Sequence, residues 1–495
     1  GITNATATAS GTTPNFQLTP TAGSATGIAN ATATASGTTP NFQLTPVAGS
    51  YAENGAITIT AGTAVTTAKV EAVRGGTSAT DKVSVGGGGG AVTEKWNIAS
   101  GGGTISNEGT VDGSGNLYFV SDDGEVAKVD PATGGRTSLA SLPGTTQYVT
   151  KPIIIGNDLF VGAQDSQGST SMFGNRKGGI LHKINLSTGN RTSLNLQDAN
   201  NLGDIRGLGK DSNDKLYALY QESMFAFLPY QAKVIRIDPA TLALDTYGTG
   251  GKANLADANF LFGRGAPNSA QIDPVFDSAG NLFVYADDTT NLKVYSFDNS
   301  GGRRTSHEFT LNNRQSFDQS TSPVISGNEL YFATENSAGG AFNPSMIHGY
   351  DVSGGGAPTT LFAARSLPGS QKARGQLAVD GGNVYVSTNE GTVHAINTTT
   401  GAIANTFAAD STTESLTQPI VDSSGDLYVG SSTNKVYKIT AATMTGDTAW
   451  DTDTATAGIQ EPQASASLEA PPLLVGSTVY VGTTAGASRL HAFEA

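Results

Sequence analysis

Residues Asp426–Thr440 read DLYVGSSTNKVYKIT, and this stretch decides the fold. Two short segments with alternating apolar residues, rich in Val, Ile and Tyr, flank a polar turn, which predicts a β-hairpin. The same pair of segments occurs eight times between Asn116 and Glu494, at a spacing of roughly 45 to 60 residues. An all-β repeat of this period predicts an eight-bladed β-propeller.

The eight copies place the propeller at residues 91–495. The first segments begin at Asn116, Asp158, Lys215, Asn281, Glu329, Asn383, Asp426 and Thr478. The second segments begin at Glu125, Ile180, Lys233, Lys293, Met346, Thr392, Lys435 and Arg489. The last copy lacks a following outer strand, whereas a spare strand precedes the first copy. We therefore expect residues 94–99 to pair with residues 489–494 and close the ring.

The N-terminal part contains a second, nearly exact repeat. Residues 1–26 recur as residues 27–52 with four of 26 positions changed. Three further alternating segments follow, so residues 27–85 resemble one immunoglobulin-like β-sandwich that forms a stalk. Residues 1–26 are then either a partial repeat or strands exchanged with a neighbouring molecule. Five glycines at residues 86–90 predict a flexible linker.

Composition excludes several classes of function. The net charge of −14 disfavours nucleic acid, because phosphate binding needs concentrated Lys and Arg. The chain has no cysteine, which rules out disulfides, thiolate metal sites and a cysteine nucleophile. Such a composition, rich in Thr, Ser and Gly, is typical of exported proteins, so we expect an extracellular or cell-surface location. No apolar run is long enough to span a bilayer.

Two sets of residues look like metal ligands but have simpler explanations. Asp and Gly recur in the turns at 112–116, 211–215, 277–281 and 422–426, where Asp starts a turn and Gly or Asn adopts positive φ. Four histidines share one position of the third strand in different blades, where we expect them to pack rather than to converge on one ion: His182, His348, His394 and His491. We predict no metal site and no cofactor.

The cycle of Pro-Val or Pro-Ile, Gly-Asn, Leu-Tyr-Val-Gly, Val-Tyr-Lys-Ile-Asp and Thr-Gly resembles the pyrroloquinoline-quinone-like propeller repeat, best over residues 376–495. That superfamily contains eight-bladed quinoprotein dehydrogenases. It also contains cofactor-free scaffolds such as outer-membrane assembly lipoproteins and the heads of surface adhesins. The dehydrogenases resemble one another in a vicinal cysteine pair, a Trp under the quinone and a calcium site. Because this chain has no cysteine, and Trp96 and Trp450 fall in outer-strand positions, the resemblance implies the non-enzymatic branch.

The pattern is interrupted where connections lengthen. Long loops are predicted between the second and third strands at residues 164–179, 221–232 and 335–345, and between blades 3 and 4. In a propeller these connections emerge on one face, and long loops on a rigid scaffold often carry binding. They either bind a partner or fold inward to plug the channel. The candidate binding residues are Met172, Phe173, Met224, Phe225, Phe227, Tyr230, Phe260, Phe262, Arg264 and Phe342.

These observations favour a non-catalytic propeller that works in adhesion or in assembly of a surface structure or filament. Its expected partners are a protein or a glycan, with self-assembly through the N-terminal strands as a further expectation. The alternative is an enzyme that acts on a polysaccharide or another polymer in the channel, and a quinoprotein dehydrogenase is less favoured. No nucleophile, metal or Walker motif is present, and no pair of carboxylates is singled out.

Overall fold

The structure is a computed structural model of the 495-residue chain. Before residue 94 it describes only the backbone of nine strands. From there to residue 494 several strand ends are described by backbone alone, and the description omits residues 102, 106, 143–149, 166–169, 172–173, 176–177, 197–201, 224–229, 246, 248–251, 255–272, 288–291, 312–314, 317–320, 337–343, 448–449, 451–458, 461–466, 469 and 485–487.

The chain forms two compact units, residues 1–93 with 447–460, and residues 94–446 with 461–495. The strands before residue 94 are β1 (Ile2–Thr3), β2 (Thr6–Ser10), β3 (Asn15–Leu18), β4 (Ile28–Ala29), β5 (Thr32–Ser36), β6 (Asn41–Leu44), β7 (Ile57–Ala61), β8 (Lys69–Ala72) and β9 (Val83–Gly87). They form parallel sheets in the orders β1-β4, β2-β5-β7-β9 and β3-β6-β8.

The register of the parallel strands follows the sequence repeat. Thr6 pairs with Thr32, Thr32 with Thr58, and Ile57 with Val83. Each of these steps is 26 residues, and the step from Asn41 to Lys69 is 28, so successive repeats lie one above another as coils of a stack, the architecture of a β-solenoid. We call strands β1–β9 the N-terminal stack.

The expected immunoglobulin-like sandwich over residues 27–85 is therefore not the arrangement that the structure has. Such a sandwich pairs its strands antiparallel, whereas these strands run parallel and join each repeat to the next. The strands of residues 1–26 are also paired within the chain, rather than left over or exchanged. Part of the predicted glycine linker continues strand β9, which ends at Gly87.

The second unit is an eight-bladed propeller, and the expected fold class is confirmed in this respect. Strand β10 (Glu94–Ala99) precedes the blades. Blade 1 has β11 (Thr110–Val111), β12 (Leu117–Val120), β13 (Glu125–Val129) and β14 (Arg136–Ser141). Blade 2 has β15 (Ile153–Ile155), β16 (Asp158–Asp165), β17 (Thr170–Ser171), β18 (Gly174–Asn175), β19 (Gly178–Asn185) and β20 (Arg191–Asn195).

Blades 3 to 5 follow in the same antiparallel order. Blade 3 has β21 (Leu202–Lys210), β22 (Leu216–Ser223), β23 (Tyr230–Ile237) and β24 (Lys252–Asn254). Blade 4 has β25 (Val275–Phe276), β26 (Leu282–Asp287), β27 (Leu292–Phe297) and β28 (Phe309–Leu311), with a short 3₁₀ helix at Thr305–His307. Blade 5 has β29 (Gln315–Ser316), β30 (Val324–Ser326), β31 (Glu329–Asn336), β32 (Ser345–Asp351) and β33 (Thr359–Ser366).

Blades 6 to 8 complete the ring. Blade 6 has β34 (Ala373–Asp380), β35 (Asn383–Thr388), β36 (Thr392–Asn397) and β37 (Ile403–Ala408). Blade 7 has β38 (Ile420–Val421), β39 (Leu427–Gly430), β40 (Val436–Thr440) and β41 (Thr445–Gly446), and β42 (Ile459–Gln460) follows it in the chain. Blade 8 has β43 (Leu473–Val475), β44 (Thr478–Gly482) and β45 (Arg489–Glu494).

Side chains from neighbouring blades form the cores of the ring. The second strands are buried on both faces, which explains their near-continuous apolar sequence. Between blades 1 and 2, for example, Tyr118 and Val126 pack with Leu159, Val161 and Ile184. Each blade thus needs two neighbours to bury both faces.

Blade 8 takes its outer strand from the start of the propeller. Strand β10 pairs antiparallel with β45, which is the predicted pairing of residues 94–99 with 489–494. Trp96 Nε1 donates to the Pro131 carbonyl at 2.9 Å, and Arg489 Nε donates to Asn97 Oδ1 at 2.8 Å. His491 Nδ1 and Glu94 Oε1 lie 2.5 Å apart. These contacts close the ring without a covalent bond.

Among the described residues, no helix is long and apolar enough to cross a membrane.

Candidate binding face

One end of the propeller carries projecting hairpins. In every blade the turn between the second and third strands and the connection to the next blade lie at the same end, which we call the hairpin face. The second strands of blades 2, 3 and 5 have eight residues each, whereas those of blades 1 and 7 have four. Four more residues lengthen a strand by about 13 Å. The extra length lies at the hairpin face.

Pairing continues along these projections. Asp165 pairs with Gly178 in blade 2, and Glu335 pairs with Ser345 in blade 5. The segments predicted as loops at 164–179, 221–232 and 335–345 are thus partly strand, and the loop prediction is wrong for those parts. The ladder satisfies backbone N–H and C=O groups that a long loop leaves to other partners.

In blades 3 and 5 a third strand pairs beside the projecting hairpin. In blade 3, Ser223 pairs with Leu202 on one side and with Tyr230 on the other. In blade 5, the short strand β29 pairs with the far end of β31. The projections of these blades are therefore small sheets whose outer strands have a free edge within the described part of the chain.

Most of the predicted binding residues fall outside the described part of the chain. Tyr230 is the first residue of β23, where the backbone is described. The other nine lie outside the described residues: Met172, Phe173, Met224, Phe225, Phe227, Phe260, Phe262, Arg264 and Phe342. The structure therefore describes the bases of the projections, and the assignment of these nine residues to binding stays a prediction.

Polar residues surround the channel at the same end of the ring. In six blades an inner-strand residue pairs with the aromatic residue of the second strand, as Thr110 pairs with Tyr118. A polar residue lies two positions before that inner-strand residue. We call this set the channel belt: Glu108, Lys151, Asp273, Ser322, Gln376 and Gln418. Because inner strands line the channel of a propeller, the belt lies at its mouth. In four of these six blades the sequence carried this signal as a polar residue directly before the inner-strand Pro, at Lys151, Asp273, Ser322 and Gln418.

The belt residues bind one another across blade boundaries. Lys151 Nζ lies 2.6 Å from Glu108 Oε2. The Asp273 N–H donates to Ser322 Oγ at 3.1 Å, and the Gln376 N–H donates to Gln418 Oε1 at 3.3 Å. Burial lowers the pKa of Lys151, but the charges of Glu108 and Asp273 outweigh it and hold that pKa above its ordinary value. Lys151 is therefore an ammonium at neutral pH, and Glu108 is its counter-ion.

The four third-strand histidines are buried in separate blades. His182 Nδ1 contacts Ser193 Oγ at 2.7 Å, and His348 Nε2 contacts Thr334 Oγ1 at 2.9 Å while its ring stacks on Phe332. Burial lowers the pKa of His348 and of His394 to about 4. His348 and His394, which burial keeps neutral, therefore have a packing role. Among the residues described, no group of three or more His, Asp or Glu could hold a metal ion.

The turn aspartates bind their own backbone. Asp112 Oδ1 accepts from the N–H groups of Ser114 and Asn116, both at 2.9 Å, and Oδ2 accepts from the Tyr118 hydroxyl. Burial raises the pKa of Asp112, but these hydrogen bonds outweigh it and the pKa lies below its ordinary value. Asp211 and Asp422 repeat the arrangement. The turn interpretation is confirmed for these carboxylates.

The comparisons with known proteins agree with this architecture. Residues 347–495 match the family model of outer membrane protein assembly factor BamB. The range covers part of blade 5 and blades 6–8, where the PQQ-like pattern in the sequence is most regular. A comparison with curated proteins gives no match.

Two solved structures are similar to the chain. BamB from Moraxella catarrhalis has a TM-score of 0.51 and 12% identity, over 82% of this chain and 100% of that chain. The computationally designed Ika8 protein has a TM-score of 0.53 and 12% identity, over 81% and 99%. At this identity the likeness shows the fold alone.

Proposed function

We propose that this chain is a non-catalytic propeller that binds a protein partner through its hairpin face, in adhesion or in assembly of a surface structure. The observation that carries the proposal is the set of projecting hairpins on blades 2, 3 and 5. Blades 2, 3 and 5 extend their hairpins on one face of the ring. Because this surface is formed before a partner binds, less conformational entropy is lost on binding. The match to an assembly-factor family model supports a protein partner.

The location and the further partners belong to the same proposal. A chain rich in Thr, Ser and Gly and without cysteine suits the cell surface or the extracellular space. A glycan is a second class of partner for the hairpin face. Self-assembly through the N-terminal strands would place several hairpin faces in one particle and raise avidity.

The alternative, an enzyme acting on a polymer in the channel, needs two carboxyl groups that face one substrate. In the described part of the belt, Glu108 is paired with Lys151, and Asp273 contributes to the charge around the same ammonium. This arrangement favours a structural role for both carboxylates. It supports the non-catalytic proposal.

The test shortens the hairpins at positions where the ladder permits it. Gln221 faces Ala232 in blade 3, so residues 222–231 can be replaced by Asn-Gly, which forms a two-residue hairpin turn. Glu335 faces Ser345 in blade 5, so residues 336–344 can be replaced in the same way. We expect both shortened proteins to keep the unfolding midpoint of the ring. The intact chain, used as bait, should capture an envelope protein, and both shortened proteins should lose binding of that protein.

The matched control is Ser423→Arg, in an exposed turn at the opposite end of blade 7. This variant should bind the purified partner with the affinity of the intact chain. Equal binding by the shortened proteins would show that the hairpin face is not the site. Release of reducing ends from a polysaccharide by the intact and shortened chains would support the enzyme instead.

A further inference from the structure

Blade 2 carries two N-glycosylation sequons around one turn. The motif Asn-x-Ser/Thr, with x other than proline, is the acceptor for N-linked oligosaccharides. It occurs at Asn185-Leu-Ser and Asn190-Arg-Thr, on either side of the turn between β19 and β20. A third sequon, Asn397-Thr-Thr, lies at the equivalent turn of blade 6, and those at Asn4 and Asn30 lie outside the described residues. The surroundings of the three described asparagines decide which of them can carry a sugar.

Two of these asparagines hold their turns. Asn185 and Asn397 are the last residues of β19 and β36, and both are only partly exposed. Asn185 Oδ1 accepts from the backbone N–H of Thr188 at 3.1 Å, and Asn185 Nδ2 donates to Asp158 Oδ1 at 3.2 Å. Asn397 Oδ1 accepts from the N–H of Thr400 at 2.9 Å. An oligosaccharide is bulky, and on either amide it would crowd these turn contacts, so both are poor acceptors.

Asn190 has different surroundings at the same turn. Its backbone is fixed, because the N–H donates to Thr188 Oγ1 at 3.2 Å and the carbonyl accepts from the Asn185 N–H at 2.9 Å. Asn190 is exposed, and within the described part of the chain its side chain has no hydrogen-bond partner. The Asn190 amide is therefore accessible, and a sugar on it displaces none of the turn contacts.

The hydroxyl of this sequon is accessible as well. Asn190 directly precedes β20, the outermost strand of blade 2, and Thr192 is the second residue of that strand. Residues 191–193 are all exposed. Because the side chains of an extended chain alternate between two sides, we expect Asn190 and Thr192 on the same side. A transferase that recognises the asparagine together with the hydroxyl meets both on an exposed outer strand.

Blade 1 has the same turn without the sequon. Residues 134–139 read Gly-Gly-Arg-Thr-Ser-Leu, and residues 189–194 read Gly-Asn-Arg-Thr-Ser-Leu. The Gly135 N–H donates to Thr133 Oγ1 at 3.1 Å, and the Gly135 carbonyl accepts from the Asp130 N–H at 2.9 Å, which repeats the backbone contacts of Asn190. The two segments differ only at Gly135 and Asn190, so blade 1 supplies a matched control.

We propose that Asn190 is an N-glycosylation site of the propeller, with an oligosaccharide linked to a polyprenyl phosphate or diphosphate as the donor. Asn190 Nδ2 forms a bond to C1 of the first sugar, while the bond from C1 to the phosphate oxygen breaks. The lipid phosphate leaves with that electron pair, and one amide proton passes to a base of the transferase. The inference rests on the proposed extracellular or cell-surface location.

The glycan would not compete with the proposed partner. The turn between the third and fourth strands lies at the end of the ring opposite the hairpin face, because the turn between the second and third strands lies at the hairpin face. A sugar on Asn190 therefore leaves the hairpin face free.

Mass spectrometry of the full chain from the surface or extracellular fraction of its source cells tests the site. Trypsin cleavage after Lys183 and Arg191 gives one peptide that contains both Asn185 and Asn190. Electron-transfer fragmentation locates a sugar within this peptide. We expect the sugar on Asn190, and none on Asn185 or Asn397.

Variants produced in the same cells separate the sequons. Asn190→Gln and Thr192→Ala should each remove one oligosaccharide from the mass of the intact chain, whereas Thr192→Ser should keep it. Ser187→Ala, which removes only the Asn185 sequon, should also keep it. Gly135→Asn in the Asn190→Gln background places the sequon in the matching turn of blade 1 and should restore the lost mass. All four positions are exposed, so these variants should fold as the intact chain does.

An unmodified Asn190 on the chain from the surface fraction would overturn the proposal, and so would a sugar that Thr192→Ala leaves in place. A chain found only in the cytoplasm would overturn the proposed location as well. Asn190→Gln should bind the purified partner with the affinity of the intact chain. Loss of the glycan and loss of partner binding at the hairpin face are thus separate outcomes.

Discussion

The propeller and the N-terminal stack both repeat a short unit, but they treat their strand edges in opposite ways. The propeller arranges antiparallel blades in a ring and fills its last position with β10, so that each blade has two neighbours. The stack instead adds parallel coils along a line. Closure buries both faces of every blade within one chain, whereas the stack gains further contacts only by adding another coil or another molecule.

Removal of residues 94–99 should give the largest difference in stability between a deletion in the propeller and a deletion in the N-terminal stack. Blade 8 would lose its outer strand, the Trp96–Pro131 hydrogen bond and the contact of Trp96 with Tyr480. We expect the free energy of unfolding of the propeller to fall by at least about 3 kcal/mol in urea titrations followed by near-ultraviolet circular dichroism. Removal of residues 1–26 should change it by less than about 0.5 kcal/mol. Similar losses from both deletions would contradict independent closure of the ring.

Acid should act on the ring through its buried histidines. Burial lowers the pKa of His348 and His394 from 6.5 to about 4, so between these pH values the unfolded chain binds protons that the folded chain does not. The free energy of unfolding should therefore be full above pH 6.5 and decrease as pH falls, by up to about 1.4 kcal/mol per pH unit for each imidazole. The double variant His348→Leu with His394→Leu should show a flatter dependence, and an unchanged slope would refute this origin.

The turn carboxylates give a smaller effect. Asp112→Ala removes the acceptor for two backbone N–H groups, Asn116 Nδ2 and the Tyr118 hydroxyl. We expect a loss of about 2 kcal/mol in the urea unfolding free energy of the ring. Asp351→Ala is the matched control, because Asp351 accepts from the Ser353 N–H in an exposed turn, and it should cost much less than Asp112→Ala. Equal costs would mean that the hydrogen bonds of Asp112 add nothing to the blade.

Exposed ion pairs should matter least. Lys210 Nζ lies 2.7 Å from Asp214 Oδ1, and both side chains are exposed. Lys210→Ala should change the free energy of unfolding by less than about 0.5 kcal/mol, with a difference that vanishes in high salt. A larger change would show that surface charge contributes to the stability of the ring.

The ring could be predicted from the sequence because its signal repeats. The aromatic and β-branched residues of the second strands are buried, so any exchange of faces would expose them, and the Asp-led turns fix where each strand begins. Strand β10 could be assigned because blade 8 lacked an outer strand.

The N-terminal stack, the extended hairpins and the channel belt could not be predicted from strand patterns alone. Alternating Thr and Ala suit parallel and antiparallel pairing equally, and the deciding signal was the 26-residue spacing from Thr32 to Thr58 and from there to Ser84. The extended hairpins were missed because polar residues such as Gln221 and Glu222 resemble a loop, although the backbone ladder continues through them. The channel belt could not be predicted because its members differ in residue type and only four of the six precede a proline.

Closure of the ring also sets the order of folding events. Asn97 and Arg489 hydrogen-bond across a separation of 392 residues, so blade 8 cannot form until nearly the whole propeller sequence has been synthesised. Contacts of such sequence separation slow folding, because the entropy of a large loop is lost before the contact forms. During translation β10 emerges before every other strand of the propeller and pairs last. The nascent chain therefore carries an unpaired strand through seven blades of synthesis, and that interval is when it most needs protection from aggregation.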